Sequence, residues 1–146
     1  MVENLVHFLL VEDDESHAEL VRRNLAKERV ENTLDRVVDG AEALQYLRKE
    51  GRFADASRPD VILLDLKLPK VDGHEVLRII KADDNLRSIP VVVLTTSDAE
   101  ADREQAYALN ANSYLVKPID FEQFRRIVKD LSLYWGVWNR RSPRRV

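Results

Sequence analysis

Five short strand-like runs, at 6–11, 34–38, 61–64, 91–94 and 113–116, are separated by longer stretches in which apolar residues return every three or four positions. Short runs fit strands and the 3.6-residue period between them fits amphipathic helices, so the pattern predicts five βα units around a parallel sheet. Val61–Leu64 is apolar without alternation, which predicts a strand buried on both faces. Asp72, Ser97 and Asp120 each stand three residues before Glu75, Glu100 or Gln123, the spacing of a capping box at a helix start. Pro59 and Pro90 precede strands as turn residues, and 49–59 reads as a surface loop anchored by Phe53.

The last helical stretch differs from the others. Phe121, Phe124, Val128, Leu131, Trp135 and Trp138 recur at intervals of 3, 4, 3, 4 and 3, and Ile127 and Tyr134 widen the stripe. Such a helix is about 27 Å long, more than a short strand covers, so its end is expected to overhang the sheet. An overhanging aromatic face suits a second copy of the chain, with Phe124, Val128, Leu131, Trp135 and Trp138 as the dimer interface; the alternative is that it folds back onto the body.

At 146 residues, 45% hydrophobic and 34% charged, the chain has the size of one ordinary domain. The expected layout is a single domain over 1–139 that ends in the extended helix, with a basic, disordered tail at 140–146. Cysteine is absent, which excludes disulfides and thiolate metal sites and suits a cytoplasmic setting. No run is long enough to span a membrane, and the start lacks the pattern of a signal peptide. The net charge of −3 conceals an uneven distribution: without Arg140, Arg141, Arg144 and Arg145 the rest carries 19 basic against 26 acidic residues. An acidic body argues against a nucleic-acid surface, while the tail arginines either meet phosphate or keep a disordered end in solution.

Chemistry gathers where the apolar runs stop. Glu12 and Asp13 follow the first strand, Asp65 the third, Thr95 the fourth and Lys117 the fifth, all at the carboxyl edge where open α/β sheets bind ligands. Three carboxylates repel one another unless a cation joins them, and hard oxygen donors without His or Cys point to Mg²⁺. With a hydroxyl from Thr95 and an ammonium from Lys117, the set suits a phosphoryl site in which a carboxylate is the nucleophile. His7, His17 and His74 are scattered in no metal-binding spacing and are assigned no ligand role.

The four motifs Val-Glu12-Asp13, Leu-Leu-Asp65 with Pro69 four residues on, Leu-Thr95 and Lys117-Pro118 resemble, in order and spacing, the receiver domain of two-component response regulators. The resemblance covers roughly residues 5 to 133 and implies a doubly wound, five-stranded parallel sheet of order 2-1-3-4-5, a topology for which a chemotaxis receiver is a standard example. It implies Asp65 as phospho-acceptor and Asp13 as a direct Mg²⁺ ligand, with Glu12 acting through water and the Lys67 backbone carbonyl completing the set. It further implies that Thr95 and Lys117 bind phosphoryl oxygens, that Tyr114 moves with Thr95 as a switch, and that Lys117-Pro118 is a cis bond. Asp14 is expected to cap the first helix. Glu12 replaces the commoner Asp, and Lys67 puts a second ammonium where family side chains tune phosphoryl lifetime.

Within that family the chain is most similar to the short, stand-alone regulators paired with phytochromes, on the strength of Leu94-Thr-Thr-Ser97, Asp72-Gly-His-Glu75, the 49–59 loop and the aromatic last helix. The partner implied is a sensor histidine kinase, such as a bacterial phytochrome, meeting His17, Leu20, Pro118 and Ile119. Output would run through protein contacts of a homodimer, with no DNA-binding module and no enzyme activity beyond self-phosphorylation and autodephosphorylation. Three rivals share parts of this pattern. A haloacid-dehalogenase-type phosphatase wants a second Asp where Lys67 stands; a flavodoxin's phosphate would be repelled by Glu12-Asp13-Asp14-Glu15; a receiver-like scaffold without phosphorylation would not need all five site residues.

Overall fold

The computed structural model describes residues 5–27 and 31–117, together with Glu122 and Arg126. Strands β1 (Val6–Val11), β2 (Asn32–Val37), β3 (Val61–Leu64), β4 (Val91–Thr95) and β5 (Ser113–Val116) alternate with helices α1 (Glu15–Ala26), α2 (Gly40–Arg48), α3 (Gly73–Ala82) and α4 (Glu100–Ala108). All pairings are parallel and the strand order is β2-β1-β3-β4-β5, as expected from the sequence. Three strands fall on their expected bounds; β2 starts two residues before the predicted run, and β4 extends to Thr95.

Alternating residues of the central strands feed two separate cores. Leu9, Val11, Ile62, Leu64, Val91 and Val93 pack with Ala43, Leu47, Val76, Leu77 and Ile80 from α2 and α3. On the opposite face Val6, Phe8, Leu10, Val61, Leu63, Val92 and Leu94 pack with Ala18, Val21 and Leu25 from α1. Every residue of β3 is buried, which is why that run shows no alternation. Each such Leu, Ile or Phe contributes about 1.5–3 kcal/mol of transfer free energy, so the sheet is a rigid base for the loops at its carboxyl edge.

Local signals set the helix starts with one exception. Asp14 caps α1 by accepting the His17 N–H at 3.0 Å, and Asp72 caps α3 by accepting that of His74 at 3.2 Å. Ser97, predicted to cap α4, does not: the helix starts at Glu100 with Ala99 at its N-cap. The Ser97 hydroxyl is engaged by the Asp102 carboxylate and accepts the Ala99 N–H at 3.3 Å, so a local turn competes with the helix for its oxygen. The 49–59 connection contains a 3₁₀ turn at Gly51–Phe53, and Phe53 does anchor it, its ring lying 5.5 Å from that of Tyr46. Asp120, the aromatic stripe that includes Phe124, Val128, Leu131, Trp135 and Trp138, the Lys117-Pro118 bond and the arginine tail all fall outside the described residues. No described helix is long and apolar enough to cross a membrane.

Candidate functional site

The carboxyl ends of β1, β3, β4 and β5 form one edge, and five of the sequence-predicted residues meet there. Backbone bonds fix the first two: Glu12 N–H donates to the Val37 carbonyl at 3.1 Å and Asp65 N–H to that of Val11 at 3.1 Å, carrying each strand's ladder one residue past its end. Arg36 of β2 braces the same loop, donating from Nε to the Glu12 carbonyl at 2.9 Å and from Nη1 to Glu15 at 2.7 Å. The α3 start closes against the other side of Asp65. A Cβ on Gly73 would lie 2.4 Å from the Leu66 Cα and 2.5 Å from the Asp65 carbonyl oxygen, so only glycine allows the helix that approach.

Glu12, Asp13 and Asp65 each present a carboxylate oxygen within 4.8 Å of the others. Glu12 is almost fully buried at 1% exposure and Asp65 nearly so, while Asp13 lies open to solvent. Lys117 projects across the edge. Its ammonium donates to Glu12 Oε1 at 2.5 Å and to His17 Nδ1 at 2.9 Å, and sits 3.6 Å from Asp65 Oδ2. The remaining polar atoms of the pair are held by main chain: Asp14 N–H donates to Glu12 Oε2 at 3.2 Å and Lys67 N–H to Asp65 Oδ1 at 3.1 Å. Burial pushes the Glu12 carboxyl above its ordinary pKa; the hydrogen bond and charge of Lys117 oppose that rise, and the Asp65 charge adds to it.

Thr95 ends β4 with no exposure, and the Lys117 N–H donates to its carbonyl at 2.6 Å, so β4 and β5 bring these two residues to the same corner. Its hydroxyl accepts the Ser97 N–H at 3.4 Å. Tyr114, on β5, donates its hydroxyl to the Ser97 carbonyl at 3.0 Å and stacks loosely on Tyr107, with ring centroids 6.4 Å apart. Thr95 and Tyr114 thus hold one residue, Ser97, by its N–H and by its carbonyl. Asp14, expected to cap rather than ligate, does so; the Ser16 hydroxyl and then the His17 N–H pull its carboxyl down to about 2. The Lys67 side chain is exposed and points its charge into no described ion pair.

Three hard carboxylates around one point, offset among the described residues by a single ammonium, fit a divalent cation of the Mg²⁺ or Mn²⁺ class better than any softer metal. Two features were not anticipated from sequence. His17, set aside as a ligand, touches Lys117, and the signal for it was its place as third residue of a helix that starts two residues beyond the acidic pair. Lys117 was expected on a phosphoryl oxygen; in this state it rests on Glu12, a contact between residues 105 apart in sequence.

Comparison with known proteins agrees with this geometry. The "Response regulator receiver domain" family model matches residues 8–129. Over 136 residues the chain is 49% identical to the probable methanogenesis regulatory protein FilR2 of Methanothrix harundinacea, covering 92% of this chain and 86% of that one. It is 40% identical to the response regulator Rcp1 of Synechocystis over 127 residues, 87% of this chain and 86% of that one. A structure of response regulator Rcp1 in its Mn²⁺-bound form superposes with a TM-score of 0.85 at 37% identity, covering 94% and 99% of the two chains. The phosphorylated cyanobacterial phytochrome response regulator RcpA superposes with a TM-score of 0.86 at 44% identity over the same shares. The chain belongs to the response regulator receiver domain family, and its relatives include phytochrome-associated regulators.

Proposed function

We propose that this receiver accepts a phosphoryl group on Asp65 from a phosphohistidine of a sensor histidine kinase, in a reaction that requires Mg²⁺. The observation that carries the reading is the meeting of Glu12, Asp13 and Asp65 within 4.8 Å beside the largely buried ammonium of Lys117. An Asp65 oxygen attacks phosphorus, the P–N bond to the donor imidazole breaks, and the imidazole leaves with a proton. Glu12, Asp13, Asp65 and the Lys67 carbonyl would hold the metal. When bound, it supplies positive charge opposite the transferring oxygens.

The chain's own groups do the rest. Asp65 is fixed for attack because the Lys67 N–H occupies Oδ1 at 3.1 Å, which leaves Oδ2 toward Lys117. Thr95 supplies a hydroxyl and Lys117 an ammonium to phosphoryl oxygens, and movement of Thr95 would release the loop that Tyr114 holds through Ser97. The Lys67 ammonium would alter the lifetime of the acyl phosphate. The likeness to RcpA supports a phytochrome-type kinase as the first donor to test. Residues 1–139 would act as one receiver unit with a basic tail at 140–146, working in the cytoplasm as a homodimer through the 121–138 stripe.

Phosphoramidate, a small donor with the same P–N bond, tests the reading. With Mg²⁺, intact mass is expected to show one added phosphoryl unit on wild type and none on Asp65→Asn or in the presence of a chelator. An unmodified wild type would favour a receiver-like scaffold that signals without phosphorylation.

A further inference from the structure

His17 is the third residue of α1, and its N–H is tied to Asp14 Oδ1 at 3.0 Å, so the ring is set on the helix turn that faces the site. Its Nδ1 lies 2.9 Å from the Lys117 ammonium, and its Nε2 lies 4.0 Å from Asp14 Oδ2. An ammonium only donates. The Nδ1 atom must therefore present its lone pair, which puts the ring proton on Nε2, on the side of the Asp14 carboxylate. His17 is in this way a neutral acceptor for the Lys117 ammonium.

That neutrality matters because Lys117 has another partner with a competing task. Glu12 holds the ammonium at 2.5 Å, yet it is also one of three carboxylates gathered for a divalent cation. A carboxylate drawn toward such a cation loses its hold on Lys117, whereas an imidazole Nδ1 engaged with the ammonium stays outside the carboxylate cluster. The ammonium lies 3.6 Å from Asp65 Oδ2, beyond hydrogen-bond length, so its third proton is the one left for an oxygen arriving at Asp65. We propose that His17 is a positioning residue: through Nδ1 it keeps the Lys117 ammonium beside Asp65, and so sets how fast the site takes up a phosphoryl group. This rests on the acceptor reading above.

Three variants test it, and the His17 side chain is 38% accessible, so its replacement alone is tolerable to the fold. His17→Asn keeps an acceptor where Nδ1 stands, His17→Leu removes it, and His17→Leu with Lys117→Ala removes both partners. With saturating Mg²⁺ and acetyl phosphate, His17→Leu is expected to slow phosphorylation about tenfold, the size of one hydrogen bond to a charged group. His17→Asn should stay within about threefold of wild type on the same scale, and the double variant should be no slower than Lys117→Ala alone. Additive losses, or an Asn variant as slow as the Leu variant, overturn the proposal. A second readout needs neither metal nor phosphoryl donor: the Lys117 ammonium resonance in ¹H–¹⁵N spectra is expected at one position in wild type and His17→Asn, and shifted or broadened in His17→Leu, where Glu12 holds the ammonium without the imidazole. An unchanged resonance in His17→Leu overturns the contact. A wild type that takes up no phosphoryl group overturns the acceptor reading and the rate claim with it, and the resonance still decides the contact.

Discussion

The two ends of the same sheet treat their polar groups in opposite ways, the amino end pairing them at a half-open surface and the carboxyl edge burying them. Toward the amino ends of the strands, His7 Nδ1 meets the Thr33 hydroxyl at 2.8 Å and His7 Nε2 meets the Tyr46 hydroxyl at 2.7 Å. Tyr46 in turn donates to Asp35 Oδ2 at 2.6 Å, and Asp60 accepts the His7 N–H at 2.9 Å. That network closes on itself: burial, then the bond to Asp35, raises the Tyr46 pKa, so the phenol stays a donor throughout the range in which proteins work. At the carboxyl edge Glu12 and Asp65 are buried beside Asp13, and among the described residues Lys117 is the cation that offsets them. A hydrogen-bonded network serves stability, whereas an excess of like charge costs stability and, under the proposed function, is kept to handle a cation and a phosphoryl group.

Substitutions that break this contrast should differ in size and kind. Lys117→Met leaves two buried carboxylates without their cation, and a loss of about 3 kcal/mol is expected in urea unfolding without metal, part of it returned by Mg²⁺. A loss that Mg²⁺ leaves untouched would mean that Lys117 acts through packing alone. Tyr46→Phe is next. It strips His7 and Asp35 of their shared partner and should cost about 1–2 kcal/mol, with phosphorylation rates unchanged; a slowed rate would show that the two ends are coupled.

The smallest effect concerns pH. A carboxyl whose pKa is raised in the fold binds its proton more tightly there than in the unfolded chain, so stability falls as pH climbs past the ordinary 4.5 and through the raised value. The metal-free wild type should therefore lose stability over that window, and Glu12→Gln should flatten the curve. Equal slopes for the two proteins in thermal melts from acid to neutral pH would count against a strained Glu12.

Most of the architecture was legible because it depends on local pattern. The unbroken Val61–Leu64 run announced a strand covered on both faces, and acids or hydroxyls at the strand ends marked the edge at which they meet. What stayed hidden depends on competition between partners. Ser97 has the spacing of a helix cap, but Asp102 and the Ala99 N–H claim its oxygen and α4 starts at Glu100. His17 was read as a possible kinase contact with no ligand role, because nothing local says that Lys117 reaches it from 100 residues away. Arg36 is similar: it reads as one charge in a strand, and only the pairing of β1 with β2 places its guanidinium on the Glu12 carbonyl.

The charge imbalance at the carboxyl edge is tested most directly by thermal melting with and without Mg²⁺, comparing wild type with Asp13→Asn and Tyr46→Phe. Binding at a hundredfold excess over the dissociation constant stabilises by about 2.7 kcal/mol, which corresponds to a rise of about 5–10 °C for a chain of this size. Wild type and Tyr46→Phe are expected to show that rise, and Asp13→Asn to lose most of it. A wild type whose melting ignores Mg²⁺, or an Asp13→Asn variant that gains as much as wild type, would contradict the assignment of Glu12, Asp13 and Asp65 as a cation site.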